Sequence, residues 1–186
     1  MSARAMTIAM ILGGAALVAL PVWVGHRPRL IWNASASVPI GLYSVEAGDK
    51  IDIADLAVVI PPKSLATFLA ERGYLPNGVP LLKRVVALGG QTVCRSGATI
   101  TIGGVILGYA RERDSRGRAL PLWQGCRAIA NNEVFLMNRD APDSFDGRYF
   151  GPLSLASIIG RAVPIWTEDG SSLAPSGSNH SVPGEL

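Results

Sequence analysis

Histidine is almost missing from this chain: two in 186 residues, His26 and His180. His26 follows a long apolar run and His180 lies in a Ser/Pro/Gly-rich terminus, so neither sits in the stretch that can fold. A Ser-His-Asp triad is therefore excluded there, and a cysteine nucleophile would lack its imidazole partner. Cysteine is as scarce, with Cys94 and Cys126 only. Two Cys and two His do not build the usual four-ligand zinc site unless all four converge, so no metal and no cofactor is expected. Charged residues make up 17% and the net charge is +3, too small a surplus to indicate a nucleic-acid partner. Lysine occurs three times, at Lys50, Lys63 and Lys83, against fourteen arginines. A lysine in an apolar setting therefore stands out.

What is present narrows the class further. Hydrophobic residues reach 48%, too apolar for a disordered chain. With 21 Gly and 13 Pro, turns must be frequent, which favours a β-rich architecture over a helical bundle. The length suits one domain, or one domain and an anchor.

Residues 5–24 carry no charge. Twenty helical residues span about 30 Å, the thickness of a bilayer core. Arg4 precedes the run; His26, Arg27 and Arg29 follow it, with Trp23 and Trp32 at interfacial positions. The run is longer than a secretory h-region and no small-residue cleavage site follows, so a retained single span is expected rather than a cleaved signal. Charge alone mildly favours a cytoplasmic domain, since basic residues are denser after the span.

Strands are expected at 42–45, 57–60, 81–88, 92–95, 99–102, 105–107, 134–137 and 158–166, and a short helix at 64–72, capped by Ser64 and closed by Gly73. Residues 138–151 read as a polar loop, and 111–118 (RERDSRGR) as a solvated charged one. From 167 onward the composition predicts a disordered tail. Cys94 and Cys126 are either two inert thiols or one disulfide. Their polar settings favour the disulfide, and with it an oxidising compartment, against the charge argument.

With histidine excluded, the simplest covalent hydrolase left is serine with lysine. A lysine serves as base near neutral pH only if burial disfavours its charged form. Lys83, within Leu81-Leu82-Lys83-Arg84-Val85-Val86, has the most apolar setting of the three. Taken alone it reads equally as an edge-strand lysine that blocks aggregation. Ser37 precedes Val38-Pro39, a pair that enforces extended or turn geometry, and Ser35 stands two residues before it.

Together these segments resemble the S26 signal peptidases. Ser-x-Ser-Val-Pro-Ile-Gly-Leu-Tyr at 35–43, Lys83-Arg84-Val85-Val86 with Gly89-Gly90, and Asp143-Ser144-Phe145-Asp146-Gly147-Arg148-Tyr149-Phe150-Gly151 match that family's three boxes in order and spacing. The Ser-x-Pro-x-Gly-x-Tyr form is more similar to the conjugative-transfer (TraF-type) peptidases than to housekeeping signal peptidase I. The resemblance implies a mainly β fold: an antiparallel signal-peptidase-like domain with a short helical insertion, behind one N-terminal transmembrane helix. The layout it implies is a cytoplasmic stub and anchor at 1–30, a periplasmic peptidase domain at 31–166 and a tail at 167–186. It makes Ser37 the nucleophile and Lys83 the general base, with Ser35 in the oxyanion hole, Ser144 and Asp146 supporting the lysine, and Arg148 structural, paired with a carboxylate. The implied substrate is an exported precursor, a pilin-like subunit of a conjugation or type IV secretion apparatus, cut at the bacterial inner membrane and released linear or cyclised. Gly147 departs from the serine common in the family, and Met137-Asn138-Arg139-Asp140 lacks its usual Gly-Asp pair. The rival readings are a housekeeping-type signal peptidase, a non-catalytic anchored scaffold of a secretion complex, and a self-cleaving repressor-type protein. The span and the lack of a helix-turn-helix segment count against the repressor.

Overall fold

A computed structural model describes residues 3–23, 28–48 and 50–170, with side chains from residue 4 onward except 17–23. The chain opens with helix α1 (Ala3–Trp23). Among the described residues no helix is long and apolar enough to cross a membrane, and for α1 described side chains end at residue 16. The expected span at 5–24 thus runs beyond them.

Most of the regular structure among the remaining described residues is β. The strands are β1 (Leu30–Asn33), β2 (Gly41–Glu46), β3 (Leu56–Val59), β4 (Leu81–Leu88), β5 (Thr92–Ser96), β6 (Thr99–Ile102), β7 (Val105–Tyr109), β8 (Gly125–Ala128), β9 (Glu133–Leu136), β10 (Leu153–Ser154) and β11 (Ile158–Thr167). Two helices join them, α2 (Lys63–Glu71) and the single turn α3 (Gly147–Phe150). Seven strands form one antiparallel sheet in the order β1-β2-β11-β3-β4-β9-β10, and four form a second, β7-β6-β5-β8. The last strand therefore lies between the second and third. Two glycines permit its close approach: a Cβ on Gly41 would fall 2.1 Å from the Trp166 carbonyl oxygen, and one on Gly160 would fall 2.7 Å from that of Glu46.

Strand β4 joins the parts. Its first half pairs with β3 (Lys83 opposite Ala57) and its second with β9, across a register shift between Val85 and Ala87. Because side chains alternate along a strand, its residues enter three cores. Leu81 and Val85 pack with Ala57, Val59, Leu69 and Leu136. Ala87 joins Val93, Ile100, Phe135 and Met137 between the sheets, and Leu82 joins Val38, Tyr43, Leu56 and Val58.

Several expectations are corrected. Ser64 does not cap α2: the helix starts one residue earlier behind Pro62, with no side-chain cap. Strands β1, β8 and β10 were not anticipated. The exposed strand β8 has no apolar alternation to betray it. Thr167, expected to open the tail, closes β11 with its side chain buried; residues 171–186 lie outside the described residues. Cys94 and Cys126 face each other on β5 and β8 and form a disulfide.

Candidate functional site

The first box forms the loop between β1 and β2. Asn33, the last residue of β1, organises it. Its buried side-chain amide donates to the carbonyls of Ser35 (2.8 Å), Pro39 (3.0 Å) and Val38 (3.1 Å), while its Oδ1 accepts from the Ser35 backbone N–H (3.2 Å). Tyr43 closes the loop from β2, donating its hydroxyl to the Pro39 carbonyl (2.6 Å). The Oγ atoms of Ser35 and Ser37 lie 2.8 Å apart, and the Ser37 N–H donates to Ser35 Oγ at 3.4 Å. Two donors able to hold an oxyanion, the Ser37 N–H and the Ser35 hydroxyl, thus stand beside the Ser37 oxygen. Val38 reaches into the core that also holds Leu82, so the neighbours of Ser37 and Lys83 share one packing unit.

Lys83 is 4% exposed. Its Nζ donates to Ser144 Oγ at 2.8 Å. Burial drives the amine's pKa down to about 8; the Asp146 charge opposes this and the Arg148 charge adds to it. Arg84 points out on the other face, its guanidinium donating to the Ala54 carbonyl (3.2 Å). No hydrogen bond links Ser37 to Lys83 among the described residues. The serine is engaged with Ser35, and the amine with Ser144.

The third box is built around a buried ion pair. Asp146 is fully buried and Arg148 1% exposed. Asp146 accepts from Arg148 Nε (2.9 Å), Nη2 (2.8 Å) and backbone N–H (3.2 Å). Arg148 then donates to the carbonyls of Ala141 (2.7 Å), Ser144 (3.2 Å) and Asn138 (3.3 Å), fixing the loop that presents Ser144. Among the described residues no hydrogen bond or ion pair links Asp146 to Lys83; it reaches the lysine through the Ser144 loop and as a charge. The expected carboxylate partner of Arg148 is thus Asp146. Gly147 also has a local cause: a Cβ there would fall 2.6 Å from the Leu136 carbonyl oxygen and 2.8 Å from the Phe135 ring.

Two residues at the site escaped sequence reading. Besides Asn33, Asn138 brackets the lysine: its Nδ2 donates to the Leu82 carbonyl (3.2 Å) and its Oδ1 accepts from the Arg84 N–H (2.9 Å). It thereby extends the ladder where β9 has ended, and its own N–H donates to Asp146 (3.1 Å). Asn33-Ala34-Ser35 has the form of a glycosylation sequon, a pattern too common to count; its amide is already committed to the loop. The only forewarning of either role was an Asn at the end of an apolar segment, where buried polar groups must find partners.

Asn33→Ala would remove four contacts to backbone at once, leaving three loop carbonyls short of a donor and the Ser35 N–H short of an acceptor, at about 1–3 kcal/mol. The expected result is a folded protein with peptidase activity reduced ~10–100-fold, read as cleavage rate alongside thermal melting.

An antiparallel β domain thus carries a serine loop, a buried lysine and a carboxylate–guanidinium turn, the three boxes that the sequence shares with a family of serine peptidases. The chain belongs to the signal peptidase family, peptidase family S26, whose model matches residues 2–167. Among characterised relatives, a plasmid transfer protein TraF of Escherichia coli is 31% identical over 165 residues, covering 83% of this chain and 92% of the relative. A conjugal transfer protein TraF of Agrobacterium fabrum is 34% identical over 149 residues, covering 74% and 82%. The crystal structure of a signal peptidase I from Enterococcus faecalis is 23% identical with a TM-score of 0.37, covering 61% of this chain and 97% of that one. The likeness to TraF proteins supports a signal-peptidase-like role in conjugation.

Proposed function

We propose that this protein is a membrane-anchored serine endopeptidase that cuts an exported precursor, a pilin-like subunit of a conjugation apparatus, with Ser37 and Lys83 as its catalytic pair. The observation that carries this reading is the buried Lys83 amine, held by one hydroxyl and poised to lose its proton near neutral pH. Neutral Lys83 keeps a lone pair while donating to Ser144. As Ser37 Oγ bonds to the scissile carbonyl carbon, its proton passes to Lys83 Nζ, and the Ser37 N–H and Ser35 hydroxyl hold the oxyanion. Lys83 hands the proton to the leaving amine as the C–N bond breaks. Water, or an amine of the substrate itself, then attacks the acyl ester; its proton returns through Lys83 to Ser37 Oγ, giving a linear or a cyclic product. The outer edge of β1, paired only with β2, leaves backbone groups open for an extended substrate beside Ser35 and Ser37.

The proposed layout is a stub and anchor at 1–30, a periplasmic peptidase domain from 31 through β11, and a dispensable tail. Support for membrane proximity comes from Leu30 and Trp32, which follow α1 closely in sequence, and from Trp166 of β11, all exposed, with the two indoles stacked at 6.0 Å. The disulfide supports the oxidising side of the membrane.

Co-expression with candidate precursors, comparing wild type with Ser37→Ala by product mass, tests the proposal. Wild type should yield a shortened product, one water lighter if cyclised, and Ser37→Ala only the intact precursor. Equal processing by both would sink it. The pH dependence is a separate check. Only the neutral amine accepts the proton, so the rate should rise with pH through about 8 and level off well below the ~10.4 of free lysine. A flat profile from pH 6 to 10 would exclude Lys83 as the base.

A further inference from the structure

The face of β4 that carries Leu81, Lys83 and Val85 is roofed by residues from outside its sheet. Leu65, Leu69, Tyr74 and Phe145 pack on the core that contains Leu81 and Val85, the two same-face neighbours of Lys83. Phe145 lies between Ser144, which holds the amine, and Asp146, which anchors the loop. Its ring stacks on Phe68 of α2 at 5.4 Å and on Tyr149 of α3 at 5.1 Å, and packs against Tyr74 (5.4 Å) and Phe150 (5.9 Å). The helical insertion and the third box are thereby joined through one ring.

The far side of this roof is fastened. Tyr74 donates its hydroxyl to Asp114 (2.5 Å), which also accepts from Arg118 Nε (2.8 Å). Arg118 donates on to the Arg72 carbonyl (3.0 Å), and Arg72 donates back to the Ala119 carbonyl (3.1 Å). The charged run at 111–118, expected as a solvated loop, is thus in part a clasp over the end of α2. The Asp114 side chain is only 8% exposed, and the Tyr74 hydroxyl holds its carboxyl well below the usual range.

We infer that α2, Tyr74 and Phe145 form a cover that keeps water from Lys83 and so sets its basicity, with the Tyr74–Asp114 bond as the fastening. Phe145 and Tyr74 are positioning residues that act through Ser144 and the apolar wall; neither touches substrate. The inference deepens the proposed function and rests on it only where rates are concerned. The charges acting on the amine are Asp146 and Arg148, both on the third box. The titratable groups of the clasp, Tyr74, Asp114, Arg72 and Arg118, bond to one another on the outer side of the roof. On the Lys83 face of β4 and β3 the neighbours are apolar, Leu81, Val85, Ala57 and Val59, while the charged Arg84 is exposed on the opposite face of β4. Opening the cover therefore changes hydration of the amine without removing a charge beside it, and its pKa should rise toward that of free lysine.

The chain's three lysines make the test direct. With Lys50→Arg and Lys63→Arg in place, the pH dependence of the side-chain nitrogen resonance reports Lys83 alone in the full-length protein. Phe145→Leu should raise its midpoint by about one unit, a roughly tenfold smaller neutral fraction at pH 7. Tyr74→Phe, which removes one hydroxyl and keeps every ring, should raise it in the same direction by about half a unit. Cleavage should follow: kcat at pH 7 down by about the same factors, KM little changed, and the rate recovered near pH 10. Loss of stability without altered basicity would lower the rate at every pH. A midpoint unmoved in folded Tyr74→Phe overturns the inference, whether or not Phe145→Leu folds. A raised midpoint with an unchanged rate profile would instead uphold the cover and count against Lys83 as the base.

Discussion

Lys83→Arg should lower precursor cleavage by a thousandfold or more, in line with the loss of a general base from a serine peptidase. A guanidinium does not deprotonate in proteins, so it offers no lone pair to the Ser37 proton. Lys83→Met keeps the length of the stem without a charge, should fold, and should be equally inactive. That separates loss of chemistry from the strain of placing a bulkier cation in a site 4% exposed. Lys50→Ala and Lys63→Ala should retain near-wild-type rates. Cleavage kinetics with far-UV spectra and melting curves decide the matter. Substantial cleavage by folded Lys83→Arg or Lys83→Met would return the anchored scaffold, or another base, to first place.

The largest effect on stability is expected at Asp146. Asp146→Ala strands the Arg148 guanidinium, 1% exposed, with carbonyls but no counter-charge. Removing one partner of a buried ion pair typically costs about 3–5 kcal/mol. The loss should appear as a lower denaturant midpoint at unchanged slope. Adding Arg148→Met should recover part of it, since no unpaired charge is then left inside. A loss below about 1 kcal/mol would mean that the 138–148 loop is held by its packing and not by this pair. Activity should fall with stability, because the carbonyl of Ser144 is among the acceptors of Arg148.

How far the sequence foretold this arrangement depends on how local each signal is. Strand β4 was legible residue for residue because its apolar run ends in two glycines that force a turn. Strand β6 was visible in the alternating Thr99-Ile100-Thr101-Ile102 that follows Gly97. Strand β8 was not, because a strand exposed along its whole length has no periodic pattern to read. The three boxes announced the side chains, but not that Asp146 would bond to Arg148 and Asn138 and reach the lysine through the Ser144 loop and its charge. That depends on a turn folding back over eight residues, which composition does not encode. Asn33 and Asn138 were passed over for the same reason: a lone polar residue acquires its meaning only when the carbonyls around it are placed.

The position of β11 bears on when the site can exist. Among the described residues this strand comes latest in the chain, yet it lies between β2, which follows the Ser37 loop, and β3, which supports the Lys83 strand. A chain cut short after Gly151 would hold every proposed catalytic and supporting side chain, and the apolar contacts of Val38 with Leu82, but lack the strand that hydrogen-bonds the serine half to the lysine half. Pairings so distant along the chain form late, after local hairpins have closed. On the proposed reading, the serine and lysine halves come under one sheet's hydrogen bonds only when β11 pairs with both β2 and β3, so that pairing is the step that would complete the site.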